Sequence, residues 1–248
     1  MSKLSGRVAV VTGGGTGIGR ATAIALAREG ADVAINYSRS EEEAFETLDE
    51  IEELGRRAIV VQADVSQLGA VESMFDRVRR ELGLVDILVN SAGRTFFVPY
   101  DRLEDVSEEV WETIFAVNVK GTFFCCRAAA AQMRQKGSGV IVNIASSSGM
   151  SGQGSSVPYA ASKGALLTLT KALARALAPG IRVVAISPGV VETRWVDGQE
   201  DFVRRSIETT PLGRNATAED VAEVAIALVA SAGFVTGTNI VVDGGRTI

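Results

Sequence analysis

The sequence contains no histidine. The commonest side chain for acid–base catalysis, and a principal zinc ligand, is therefore missing from whatever chemistry the protein performs. Cysteine is scarce as well. Cys125 and Cys126 are adjacent in a stretch that reads as helix, where neighbouring side chains point apart, so they are not expected to form a disulfide. Two thiols without an imidazole also argue against a zinc site. They read as small core residues of a reducing cytoplasm. There are only 5 prolines, no Ser/Gly linker and no low-complexity tract, so nothing divides the chain and residues 1–248 are expected to form a single domain. No apolar run is long enough to span a bilayer. The opening residues Met1 to Arg7 lead straight into a strand-like Val8-Ala9-Val10-Val11, unlike a signal or transit peptide. The net charge of −5 leaves no basic footprint for nucleic acid. A cytoplasmic protein without membrane or nucleic-acid partners is expected.

What is present is a hydrophobic content of 46% against 22% charged residues, enough for a substantial core. Short apolar runs alternate with amphipathic segments. Strands are expected at Val8–Thr12, Asp32–Tyr37, Ala58–Gln62, Val85–Asn90, Val140–Ala145, Ile181–Ser187 and Asn239–Val242. Several are apolar throughout, as befits strands covered on both faces of a parallel sheet. Helices are expected at Ile18–Glu29, Glu41–Leu54, Leu68–Glu81, Ser107–Lys136, Tyr159–Ala178 and Ala218–Ser231. Ser40-Glu41-Glu42-Glu43 has the form of a capping box. The repetition predicts an α/β, doubly wound, mainly parallel seven-stranded sheet with helices on both faces. The Tyr159–Ala178 segment is apolar around most of its circumference, which predicts burial on more than one side and points to a subunit interface.

Two motifs carry chemistry. Thr12-Gly13-Gly14-Gly15-Thr16-Gly17-Ile18-Gly19 follows the first strand and opens the first helix. A helix N-terminus offers free N–H groups and a positive dipole end, and small residues let a pyrophosphate approach the backbone. Tyr159 and Lys163 stand four residues apart and so share a helix face. A phenol ordinarily titrates near 10, and a neighbouring ammonium favours its anion. Without histidine, this pair is the leading candidate for proton transfer.

The Thr-Gly-x-x-x-Gly-x-Gly spacing and the Tyr-x-x-x-Lys pair resemble the short-chain dehydrogenase/reductase family, in its subgroup of about 250 residues. The resemblance extends to Asp64-Val65, Asn90-Ser91-Ala92-Gly93, Asn118, Ser146, Pro188-Gly189-Val190-Val191-Glu192-Thr193 and Val241-Val242-Asp243-Gly244-Gly245. It implies a Rossmann-type fold and a nicotinamide cofactor. It also implies cofactor contacts at Gly13, Gly15, Thr16, Gly17, Ile18, Gly19, Asp64, Val65, Asn90, Ala92, Gly93, Tyr159, Lys163, Pro188, Gly189, Val191 and Thr193. In the implied roles, Tyr159 exchanges a proton with the substrate oxygen. Lys163 lowers the phenol pKa and holds the nicotinamide ribose, Ser146 donates to the substrate oxygen, and Asn118 holds a relay water. A non-catalytic dinucleotide sensor would be expected to have lost the Tyr–Lys pair.

The second strand ends in Tyr37-Ser38-Arg39, with no acid where an NAD enzyme usually places one. Ser38 and Arg39 suit a 2′-phosphate, so NADP(H) is favoured over NAD(H). Residues 192–210 match the family's substrate lid. Trp195, Val196 and Phe202 are its expected apolar contacts, with Phe96, Phe97, Met150, Gln153 and Val157 around the rest of the pocket. The substrate is expected to be a carbonyl compound or its secondary alcohol. The chain looks most like 3-oxoacyl-(acyl-carrier-protein) reductases, with general ketone reductases and secondary-alcohol or sugar dehydrogenases as alternatives. An acyl carrier protein is a candidate partner, although Arg134 and Lys136 are all that stands for one expected basic patch. A homotetramer is expected.

Overall fold

The structure is a computed structural model that describes residues 3–248; Met1 and Ser2, which open the N-terminal stretch, lie outside the described residues. Strands β1 (Val8–Thr12), β2 (Asp32–Tyr37), β3 (Ala58–Gln62), β4 (Ile87–Asn90), β5 (Gly139–Ile144), β6 (Ile181–Pro188) and β7 (Asn239–Val242) form one sheet of order β3-β2-β1-β4-β5-β6-β7. Every neighbouring pair is parallel. The order reverses between β1 and β4, which opens a crevice at the carboxyl ends of those strands.

The helices are α1 (Gly17–Arg28), α2 (Glu41–Glu53), α3 (Leu68–Glu81), α4 (Glu108–Phe115), α5 (Thr122–Lys136), the single turn α6 (Ser148–Ser151), α7 (Val157–Leu177), α8 (Glu200–Glu208) and α9 (Ala218–Ala230). Alternate strand residues feed two cores, one on each side of the sheet. Ala9, Val11, Ile87 and Val89 pack with Leu26 of α1 and Leu228 of α9. Val8, Val10 and Leu88 pack with Phe75 of α3 and Met133 of α5. A strand can thus be apolar at every position and still obey the two-residue alternation.

The helices depart from expectation in several respects. The long helix over 107–136 is interrupted by a π-helical stretch, Ala116–Gly121, that contains Asn118. The Tyr159 helix begins two residues earlier, because Pro158 fits the first turn, where its missing N–H costs nothing. Ser40 does not cap α2 through its side chain; its hydroxyl and Glu43 are both taken by Arg194. The reciprocal capping box lies instead at Thr217 and Asp220, which open α9. A further helix, α8, occupies the stretch expected only as a lid. The run Glu108–Lys136 is, contrary to expectation, long and apolar enough to cross a membrane by length and composition. Its Cys125, Cys126, Ala129 and Met133 are nevertheless buried in the core, and both thiols are free.

Two buried carboxylates pin the amino-terminal edge of the sheet, opposite the crevice. Asp32 pairs with Arg56 and Arg57, each at 2.7 Å. Asp86 accepts from Arg7 (2.8 Å), Lys136 (2.6 Å) and the Val8 N–H (2.9 Å). Burial alone would raise the pKa of Asp86, but these three donors outweigh it and hold the carboxyl below its usual range. A depressed carboxyl pKa contributes stability above the unfolded value, near 4, and loses it as the pH falls. Asp86→Asn should therefore cost about 2 kcal/mol at neutral pH and progressively less towards pH 3. Urea denaturation at both pH values checks this, and an equal cost at both would contradict it.

Candidate active site

Thr12 sits at the end of β1 and accepts from the backbone N–H groups of Ser91 (3.1 Å) and Ala92 (3.0 Å), tying the turn after β4 to the glycine loop. Gly14 N–H donates to the Asn36 carbonyl at 2.9 Å. The loop is closely enclosed. A Cβ on Gly13 would come within 3.1 Å of Ala92 Cα, and one on Gly15 within 2.9 Å of Ala44 Cα. Thr16, which opens α1, makes no side-chain cap, so among the described residues the first N–H groups of the helix lack a capping acceptor. A backbone cradle closed to side chains, facing an uncapped helix end, fits a dinucleotide pyrophosphate.

A cleft of about 1560 Å³ runs from this loop across the carboxyl ends of the strands. Among the expected cofactor residues, Gly13, Gly15, Thr16, Gly17, Ile18, Ser38, Arg39, Asp64, Val65, Ala92, Gly93, Tyr159, Lys163, Pro188, Gly189, Val191 and Thr193 line it. Three expected site residues do not. Gly19 packs beneath the loop, where a Cβ would meet the Gly13 carbonyl at 2.1 Å. Asn90 is buried and donates to Asn143 at 2.9 Å. Asn118 is buried behind the wall: its amide donates to the Arg94 carbonyl and to Ser162 Oγ, both at 3.0 Å, and its Oδ1 accepts from Arg94 N–H at 2.8 Å. Both amide hydrogens are thus committed to protein partners, in contrast to a side chain reserved for water.

The Asn90 contact begins a buried polar chain. Asn143 on β5 accepts from Asn90 on β4 and donates to Thr170 Oγ1 on α7 at 2.9 Å, and Thr170 donates to the Leu166 carbonyl at 2.9 Å. It fixes the rotation of α7, and with it Tyr159 and Lys163. Lys163 is buried, donates to the Ile144 carbonyl at 2.8 Å, and lies 5.7 Å from the centre of the Tyr159 ring. Burial lowers its pKa to about 8. Burial pushes the Tyr159 phenol up to about 12, with the Ser146 hydroxyl acting in the opposite direction. The expectation that Lys163 lowers the phenol pKa is therefore not met here: desolvation is the larger influence, and the ammonium is engaged by Ile144. Ser146 donates to Ser148 Oγ and accepts from Ser148 N–H, both at 3.1 Å.

The lid rests on this cleft. Thr193 lies against the open side of Gly17, where a Cβ would be 3.3 Å from its methyl group. Arg194 reaches across to Glu43 and Ser40 at the start of α2. The Trp195 ring lies 6.1 Å from that of Tyr159. Gln153, Phe97, Met150, Val196 and Phe202 join the lining, while Phe96 and Val157 do not. Phe96 sits instead beneath the Arg94 guanidinium, 5.3 Å away. Residues that the sequence reading missed include Asn36, whose amide supports the glycine loop and whose carbonyl accepts from Gly14, together with Asn143, Thr170 and Arg194. Asn36 and Asn143 each interrupt an apolar run within a strand, a signal that could have marked both.

A family model described as Enoyl-(Acyl carrier protein) reductase matches residues 13–247. The chain is 37% identical to the 3-oxoacyl-(acyl-carrier-protein) reductase FabG of Staphylococcus aureus, over 96% of both chains. It is 38% identical to an uncharacterized oxidoreductase of Thermotoga maritima, over 98% of both. Among solved structures it superposes on a short-chain type dehydrogenase/reductase from Mycobacterium marinum with a TM-score of 0.90, at 36% identity and covering 98% of this chain and 96% of the other. The sheet order, the glycine loop and these whole-length similarities agree: the chain belongs to the short-chain dehydrogenase/reductase family, whose members are oxidoreductases that use nicotinamide cofactors.

Proposed function

We propose that the protein is an NADP(H)-dependent carbonyl reductase of the 3-oxoacyl thioester type, working in the cytoplasm, with an acyl carrier protein as candidate partner. The observation that carries this reading is the placement of Ser146, Tyr159 and Lys163 around one end of a cleft whose other end is the glycine loop. The Staphylococcus aureus relative, named as a 3-oxoacyl reductase, supports the substrate class.

A bound nicotinamide supplies hydride chemistry at a carbonyl carbon. Tyr159, with its pKa near 12, holds its proton throughout the neutral range and can give it to the substrate oxygen. Ser146 stabilises negative charge as it develops on that oxygen. Charged Lys163, 5.7 Å from the ring centre, favours the phenolate left behind, though by less than burial disfavours it. Asn118 acts as a positioning residue, clamping the Arg94 backbone and Ser162 on α7.

The outer face of α7 is exposed at Ala161, Thr168, Ala172 and Ala176, with Lys171 and Arg175 beside them, and Trp111 and Phe123 are exposed on α4 and α5. Small side chains permit close helix approach, and together with the exposed aromatics they support a homotetramer with two-fold symmetry. Light scattering at micromolar protein should give a tetramer mass; a monomer mass would reject this assembly.

Reduction of acetoacetyl thioesters, followed beside ketones, aldoses and a 2-enoyl thioester, should identify the favoured substrate. In that assay Tyr159→Phe should lower kcat by about 10³-fold while leaving dinucleotide affinity within about threefold. In the wild type, kcat/KM for reduction should fall as the pH rises through about 8, because Lys163 loses its proton there while Tyr159 stays protonated. A profile flat to pH 10, or an active phenylalanine variant, would remove these assignments.

Arg39 is exposed at the end of β2, beside Ser38. Fluorescence titration should show NADPH binding at least about tenfold more tightly than NADH, with Arg39→Ala closing most of the gap. Tighter binding of NADH would reverse the cofactor choice.

A further inference from the structure

The cleft has a charge that the whole chain does not. Six cationic side chains line it, namely Arg39, Arg94, Lys163, Arg194, Arg205 and Arg246, against one acidic side chain, Asp64. The protein as a whole carries −5. A cleft of one sign within a protein of the other concentrates ligands of opposite charge. Part of this excess has an assignment already: Arg39 is proposed for the cofactor, Lys163 for the reacting pair, Arg194 is paired with Glu43, and Arg94 stacks over Phe96. Arg205 and Arg246 have neither an acid partner among the described residues nor a task.

Their placement is specific. Phe202, Arg205 and Thr209 all line the cleft at spacings of three and four residues along α8 and its end, so they share one face. Phe202 meets Phe97 edge to face at 5.8 Å, forming an apolar wall. One turn further on is Arg205, whose Nε donates to the Asp201 carbonyl at 3.2 Å. The end of α8 is joined to the C-terminal turn by the Leu212 N–H donating to the Gly244 carbonyl at 3.1 Å. Arg246 follows in that turn. Its Nη1 is buried with no hydrogen-bond acceptor among the described residues, as is Nε of Arg94. The adjacent Asp243 does not serve it, because its carboxylate accepts from Gly245 N–H (2.9 Å), Thr247 N–H (3.0 Å) and Thr247 Oγ1 (2.7 Å). A buried guanidinium donor without an acceptor is costly unless a ligand supplies one.

We infer that Arg205 and Arg246 form an anion subsite at the lid end of the cleft, so that the preferred substrate couples an apolar segment against Phe97 and Phe202 to a phosphate or carboxylate beyond it. This rests on the reductase reading above and narrows its substrate class. The anion has two chemical sources. A pantetheine-linked thioester carries a phosphate on its arm, and a free oxo acid carries a carboxylate. A guanidinium receives either through paired N–H groups.

The test is calorimetric titration of the dinucleotide-loaded protein with two matched pairs. One pair is acetoacetyl-pantetheine 4′-phosphate and acetoacetyl-pantetheine; the other is 6-oxoheptanoate and its methyl ester. The anionic member of at least one pair should bind about tenfold or more tightly than its neutral match, and the responding pair identifies the source. The preference should fall to about threefold or less in the Arg205→Gln, Arg246→Gln double variant and be partly retained in the double lysine variant, which keeps the charge but not the paired N–H groups. Arg205→Gln alone, on the exposed face of α8, should give a partial loss and covers the case in which the double variant does not fold. No preference in either pair, or a preference that survives neutralisation of both arginines, would overturn the subsite. Preference without turnover of any of the four compounds would leave the subsite standing and sink the reductase reading. Turnover without preference would do the opposite.

Discussion

The buried polar chain from Asn90 through Asn143 to Thr170 is the interaction on which the site depends. Hydrophobic packing can hold a helix against a sheet, but it tolerates small rotations. A chain of hydrogen bonds in a dry interior does not, because rotating α7 would leave Asn143 or Thr170 without a partner. The chain joins β4 and β5 to the helix that carries Tyr159 and Lys163. The Tyr159 and Lys163 side chains are thereby placed with respect to the strand ends that form the floor of the cleft. Asn118 acts similarly from the other side, coupling the turn after β4 to Ser162. Neither Asn90 nor Asn118 needs to face the cleft to determine what happens in it.

Much of this architecture was legible in the sequence, for identifiable reasons. The seven strands stood out because parallel strands are apolar on both faces, and four of them have the expected limits, β1, β2, β3 and β7. The Tyr–Lys pair could be read because helical spacing puts both residues on one face. The polar network could not, since it depends on tertiary neighbours: the pairing of β4 with β5 joins residues 53 positions apart, and the packing of α7 on β5 joins residues 27 apart. The false cap at Ser40 has a similar origin. Its local pattern is sound, but a distant arginine, Arg194, engages both residues of the supposed box. The helix α8 was hidden by its polarity, as only Phe202, Val203 and Ile207 interrupt its charged and polar residues.

The protonation of the pair also needed three dimensions. Spacing says that a lysine is near a tyrosine, and on that basis the phenol should become more acidic. In the folded chain both groups are drawn into a water-poor site, and desolvation moves each towards its neutral form. A neutral phenol near a lysine that titrates close to physiological pH suits proton donation, so burial and the direction of chemistry are linked.

The contact of Arg194 with Glu43 and Ser40 has a consequence for traffic through the cleft. It closes the lid with an ion pair, whereas Thr193 and Trp195 close it with van der Waals contact. An ion pair between partly exposed groups weakens as salt rises, and an apolar contact does not. The two ends of the lid are therefore held by forces of different kind: the end over α2 can loosen while the Trp195 end stays in place above Tyr159. Ionic strength thus acts on the Arg194 end of this segment and leaves the Trp195 contact with Tyr159 untouched.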